Sequence, residues 1–185
     1  MKIILASNSP RRQMLMKEAG LDFEIRTKDI AEDYPSTMLP SEVAPYLSTI
    51  KAAPFMEELQ QDELLITADT IVVLDKLILG KPKDQNDAFY TLKLLSNSTH
   101  DVFTGVCLTS LDKQLVFTCK TSVTFYPLTD EIITDYIEKY KPYDKAGSYA
   151  IQEHLGLVGI EKINGSYYNV LGLPIAQLLR EIEQF

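Results

Sequence analysis

Cysteine is scarce in this sequence: Cys107 and Cys119 are the only two, and they lie in apolar, strand-like segments with no CxxC. That excludes a disulfide framework. The pair reads as buried, reduced thiols of a reducing compartment. Long apolar runs are missing as well. No stretch approaches the ~20 residues that a membrane span requires, and the apolar run in MKIILASNSPRR is too short for a signal peptide. The expected location is therefore the cytoplasm. Histidine is equally sparse, and His100 and His154 are too scattered for a zinc site. No motif supports Ser/His/Asp or Cys/His catalysis, and the GxxxxGK[ST] phosphate loop is absent. Positive charge is in deficit too, with 18 Lys and Arg against 26 Asp and Glu and a net charge of −8. A general nucleic-acid binder is usually basic, so that role is disfavoured. A small anionic substrate remains compatible, because local charge decides its binding.

What is present is an ordinary globular composition in a 185-residue chain, enough for one domain over residues 1–185 with two lobes around a cleft. Strands and helices interleave, which predicts an α/β fold. Residues 2–6 read as a buried strand. Ser9 suits an N-cap and Pro10 the first helical position, so a helix is expected to about Ala19, stopped by Gly20. A second strand is expected over 22–27. A helix over 41–59 should be broken or kinked near Pro45 and Pro54. Residues 64–74 form a strongly apolar strand that turns at Asp75-Lys76 into a short return strand, 77–79. Asp84 should cap a helix with Ala88, Leu92 and Leu95 on one face. Residues 101–110 and 114–126 read as a hairpin, and Thr129 should open a helix ending near Lys139. Turns are expected at Gly147, Gly156, Gly165 and Gly172, and a last helix after Pro174.

Four segments carry candidate chemistry. SNSPRR, residues 7–12, sets a serine-rich turn at a helix N-terminus, which is an anion site. Arg11 and Arg12 stand where the helix dipole disfavours cations, which suggests that an anion offsets them. An ordinary capped helix with solvent-facing arginines is equally compatible with the local pattern. Asp69 lies inside the apolar run ITADTIVVL on the strand face of Leu65, Ile71 and Val73. A carboxylate there must be paired, hydrogen-bonded or bound to metal, and pairing with a structural cation explains it as well as catalysis does. Lys81 is flanked by Gly80 and Pro82 in a rigid turn, although most turn lysines are merely solvated. DKAGSYAIQ, residues 144–152, ends on Gln152, whose amide can accept from N3–H and donate to the neighbouring carbonyl of uracil or thymine. Taken alone, a turn leading into a strand is the blander account. Glu32, in DIAEDY, is a plausible second carboxylate for a hard cation such as Mg²⁺.

In their order along the chain, ASNSPRR, IAED, Lys51-Ala52, ADTIV, GKP, THDVFTG, DKAGSYAIQ, INGSY and NVLGLP resemble the Maf family, also called septum-formation-inhibitor proteins. These segments span residues 6 to 174. The resemblance implies an elongated mixed β-sheet flanked by helices, with two lobes around a nucleotide cleft, similar to the inosine triphosphate pyrophosphatases. It implies a homodimer that uses Mg²⁺ or Mn²⁺ to cut a nucleoside triphosphate to monophosphate and pyrophosphate. Carried over by motif, Ser7, Arg11, Arg12, Lys51 and Lys81 would line the phosphate channel, with Lys145 near the phosphates. Asp69 would be the acid-base residue, with Glu32 and Lys81 beside it in catalysis and Glu32 and Asp69 at the metal. Arg11, Thr70 and Gln152 match positions linked to substrate choice. Gln152 favours dTTP and UTP, because the 7-methyl-GTP subgroup typically carries an acid there. Ser-Thr-Ile before Lys51, and Thr67 before ADT, depart from the family pattern without removing a proposed catalytic group. The rival readings are a pyrophosphatase for a modified purine nucleotide and a non-catalytic nucleotide-binding regulator of cell division.

Overall fold

The computed structural model describes residues 1–185. Along the chain come β1 (Lys2–Leu5), α1 (Pro10–Glu18), β2 (Phe23–Ile25), α2 (Pro40–Ala52), β3 (Glu63–Leu74), β4 (Leu77–Leu79) and α3 (Gln85–Leu95). There follow β5 (Thr99–Thr109), β6 (Gln114–Phe125), α4 (Asp130–Tyr140), α5 (His154–Gly159), β7 (Ile160–Asn164), α6 (Tyr167–Val170) and α7 (Ile175–Gln184). The strands make one mixed sheet in the order β2-β1-β3-β5-β6-β7, with β4 paired to β3 off that path. β1 runs parallel to both β2 and β3, while β4 is antiparallel to β3 and β7 to β6. The α/β class expected from the sequence is the class observed. The chain divides into two compact units.

The first unit holds residues 1–70, 104–119 and 172–185. The local rules act here as expected: the Ser9 hydroxyl accepts from the Arg12 N–H, Pro10 occupies the first turn, and Gly20 takes a φ of 75° past the helix end. Ile4, Ala52, Phe55, Leu59, Leu65 and Cys107 form a buried cluster, with Ile4 opposite Leu65 in the β1–β3 register. Two expectations change. Helix α2 runs through Pro45 without a break, and the chain departs from it only at a 3₁₀ turn, Ala53–Phe55, that contains Pro54. The Pro45 carbonyl accepts from the Ser48 and Thr49 hydroxyls, and its nitrogen, which has no hydrogen to donate, faces Gly105. A Cβ on Gly105 would sit 2.3 Å from that nitrogen. Cys119 is half-buried on the outer part of β6, not buried as Cys107 is.

The second unit holds residues 71–103 and 120–171. Asp84 caps α3 by accepting from the Asp87 N–H at 2.9 Å, and the helix buries Ala88, Leu92 and Leu95. Thr129 caps α4 in the same way. The glycine-rich stretch departs from the reading at Gly156. Gly147 and Gly165 do take positive φ, but Gly156 lies inside α5, directly before β7. Its role is close approach: a Cβ there would fall 1.8 Å from the Ile151 carbonyl oxygen. The glycine needed to pack α5 against its own preceding turn therefore looks, in sequence, like a chain reversal.

Candidate active site

The first unit brings Ser7, Arg12 and Thr70 together. Arg12 reaches from the first turn of α1 to strand β3, where Nη1 donates to the Ala68 carbonyl at 2.9 Å and Nη2 to the Thr70 hydroxyl at 3.1 Å. Its Nε donates to the Gly172 carbonyl at 2.7 Å, and Nη1 also reaches the Ser7 hydroxyl at 3.3 Å. Four of its five N–H groups are therefore used on the protein itself. Arg12 is a tie between α1, β3 and the turn before α7. Arg11, one residue earlier and half-buried, has no acceptor in the protein. Ser7 is 7% exposed, and its oxygen accepts from both the Ser9 N–H and Arg12. With both lone pairs occupied, its one hydrogen is left to donate to an acceptor from outside. Thr70 Oγ1 also shares a 2.9 Å hydrogen bond with Thr104 Oγ1.

Beside this tie stands a trio of charges. Asp69, on β3 and 7% exposed, forms an ion pair with Lys51 from the last turn of α2. The same Lys51 ammonium lies 2.7 Å from Glu32 Oε1, on the exposed loop that follows β2. Burial raises the Asp69 pKa above its ordinary value, with Lys51 and Arg12 opposing the rise. Two carboxylates thus converge on one cation. That arrangement fits a divalent ion that takes one or two protein carboxylates and completes its shell with water and substrate phosphates. No group of three or more His, Cys, Asp or Glu side chains comes together, so the chain builds no all-protein cage.

The other predicted residues belong to the second unit. Lys81 is exposed with no protein partner, projecting from a turn whose Gly80 carbonyl accepts the Gly147 N–H at 3.2 Å. That bond joins the GKP turn to the DKAGSYAIQ segment. Lys145 is 9% exposed and held between Asp144 Oδ1 at 2.7 Å and Glu153 Oε1 at 3.6 Å. Gln152 is exposed, and its amide has no protein partner. His100 is a core histidine: it shares a 2.7 Å hydrogen bond with the Tyr149 hydroxyl and is kept neutral by burial, with its pKa lowered to about 4. The sequence reading missed Tyr136, whose hydroxyl donates to Glu153 and accepts from the Ala150 N–H at 3.1 Å. Its position on the buried stripe of α4 marks it as a core aromatic, and nothing local signals the polar link.

A family model described as "Maf-like protein" matches residues 2–185. A protein of Flavobacterium psychrophilum named dTTP/UTP pyrophosphatase is 53% identical over 173 residues, covering 94% of this chain and 89% of its own length. Its namesake in Phocaeicola vulgatus is 50% identical, with 99% and 95% covered. A solved nucleoside-triphosphatase, dITP/XTP pyrophosphatase, of Mycobacterium abscessus aligns at a TM-score of 0.43 and 14% identity, over 69% of this chain and 76% of its own. That likeness is too loose to carry fold or function.

Proposed function

The chain belongs to the Maf-like family, and from that membership we propose that it hydrolyses dTTP and UTP to the monophosphate and pyrophosphate. The observation that carries the reading is the buried Asp69 carboxylate, paired with Lys51 and one residue beyond the Ala68 carbonyl that binds Arg12. Half-identity to proteins named dTTP/UTP pyrophosphatase supports the substrates.

In this mechanism the Ser7 hydroxyl and the unengaged Arg11 guanidinium hold phosphate oxygens. Lys51 adds positive charge, and Arg12 fixes the turn that presents Ser7. Asp69 accepts a proton from a water as the water oxygen bonds to the α-phosphorus. The bond from that phosphorus to its bridging oxygen breaks, and the electron pair leaves with pyrophosphate. Burial strengthens Asp69 as a base, while Lys51 keeps it ionised. Glu32 shares Lys51 with Asp69 and assists in orienting the water. Glu32 and Asp69 are the residues that would hold Mg²⁺ or Mn²⁺, which when bound neutralises phosphate charge. Lys81 and Lys145, placed by motif, supply further cations for the phosphates. Gln152 reads the imide edge of uracil or thymine. Thr70, tied to Arg12 and Thr104, acts on substrate choice through the backbone it fixes.

The same reading treats residues 1–185 as one catalytic domain and takes the enzyme to be a cytoplasmic homodimer. Its unpaired cysteines support the compartment, and no helix is long and apolar enough to cross a membrane. The test is pyrophosphate release from dTTP, UTP, CTP, GTP, 7-methyl-GTP and ITP with Mg²⁺, beside the Asp69→Asn variant. Cleavage of dTTP and UTP that falls by about 10²-fold or more in the variant, with nucleotide binding retained, is expected. Near-normal turnover by Asp69→Asn refutes the assignment of the base. A preference for 7-methyl-GTP refutes the substrate reading and leaves the reaction class.

A further inference from the structure

Gln152 combines a free side chain with a backbone that is held on both sides. Two residues before it, the Ala150 N–H donates to the Tyr136 hydroxyl at 3.1 Å. One residue after it, the Glu153 carboxylate accepts from the same hydroxyl. The Glu153 N–H returns to the Ala150 carbonyl at 3.1 Å, closing a ring of hydrogen bonds around Gln152. Tyr136 itself is 1% exposed and stacks on Tyr140 with ring centroids 5.0 Å apart, so the hydroxyl is delivered from a fixed ring. Glu153 is further held by Lys145 at 3.6 Å. Upstream, Gly147 at φ 71° and Ser148 at φ 62° take successive left-handed conformations that turn the chain.

We propose that Tyr136 is a positioning residue for base selection: one buried hydroxyl, acting on Ala150 and Glu153, fixes the backbone from which Gln152 reads the pyrimidine. This rests on the reading of Gln152 as the base reader. Discrimination between a uracil or thymine edge and a cytosine edge requires donor and acceptor to stay in place. A fixed Cα holds the amide at one distance and angle to the ring, whereas a loose backbone lets the side chain take a separate pose for each base, so losing the hydroxyl erodes selectivity before it erodes turnover.

The experiment compares kcat and KM for dTTP and dCTP in the wild-type enzyme, Tyr136→Phe, Gln152→Ala and the double variant, with Tm measured for each. In Tyr136→Phe the dTTP-over-dCTP ratio of kcat/KM should fall about tenfold, the worth of one base-edge hydrogen bond. Its kcat on dTTP should stay within about threefold of wild type. Adding Tyr136→Phe to Gln152→Ala should leave the ratio where Gln152→Ala put it, because both act on one interaction. A lowered Tm with an unchanged ratio in Tyr136→Phe, while Gln152→Ala shifts the ratio, overturns the positioning role alone. An unchanged ratio in Gln152→Ala overturns the reading of Gln152 and this inference with it.

Discussion

Replacing Lys51 with Met tests the electrostatics of the site most directly, because one ammonium serves two carboxylates. Met keeps the unbranched stem on the last turn of α2 and deletes only the charge. Asp69, 7% exposed, then loses the strongest influence opposing its desolvation. Breaking a buried pair from one side costs about 3–5 kcal/mol. The Lys51 side chain retains 16% exposure and Glu32 is largely solvated, so about 2–3 kcal/mol is the reasonable expectation here. The sign with pH follows from the direction of the Asp69 shift. An acid whose folded pKa is raised binds more protons folded than unfolded, so stability falls as pH rises through that pKa. The cost of Lys51→Met should therefore be largest at pH 8 and shrink on acidification as Asp69 takes up a proton. The acid limb of the kcat/KM profile, which reports the free enzyme, should move to higher pH, whatever happens to its height. Adding Asp69→Asn should restore much of the lost stability, since the uncompensated charge is gone. Urea melts at several pH values and a pH–rate profile measure all of this. An acid limb that stays in place, with a cost independent of pH, would refute the pairing as the control on Asp69.

Arg11→Ala and Arg12→Ala should part company despite their adjacency. Arg12→Ala strands the Ala68 and Gly172 carbonyls and should cost about 3 kcal/mol or more by denaturant melt. Arg11→Ala should leave stability within about 0.5 kcal/mol and raise KM for dTTP about tenfold; equal stability losses would refute the division. Glu63, 1% exposed, accepts from Arg26 through both oxygens at 3.1 and 2.9 Å, and its pKa is held down to about 2, chiefly by those bonds. Glu63→Gln should therefore cost about 2–3 kcal/mol at pH 7, less than for a fully buried pair because the Arg26 side chain is 25% exposed. The wild-type advantage is full above the ordinary value of 4.5 and lost as pH falls through about 2; melts that keep the full difference at pH 2 would refute the pairing as its source. Gly105→Ala would drive a methyl group to 2.3 Å from the Pro45 nitrogen of α2. It should lower both Tm and turnover, because α2 carries Lys51; a variant with wild-type Tm would show that the helix yields freely.

Elements governed by local chemistry were legible in the chain. Ser9, Asp84 and Thr129 cap helices where a short polar side chain precedes a helix-forming run, and the apolar stretch ending at Leu74 is a strand to its last residue. Gly156 reads as a turn because a glycine needed for close approach and one needed for positive φ are the same letter; only the Ile151 carbonyl distinguishes them. The candidate site divides along the same line. Asp69 announces itself as a carboxylate in an apolar strand, but its pairing with Lys51, 18 residues away, is a tertiary fact. The two arginines of SNSPRR are equivalent in sequence, and the fold alone commits one to protein carbonyls and leaves the other without an acceptor. Tyr136 is the extreme case: every local cue assigns it to the core, which is correct for its ring and silent about its hydroxyl. A ring fixes direction and a hydroxyl spends it, so the residues that position a reading group should be sought among buried tyrosines whose single polar atom touches the backbone beside that group.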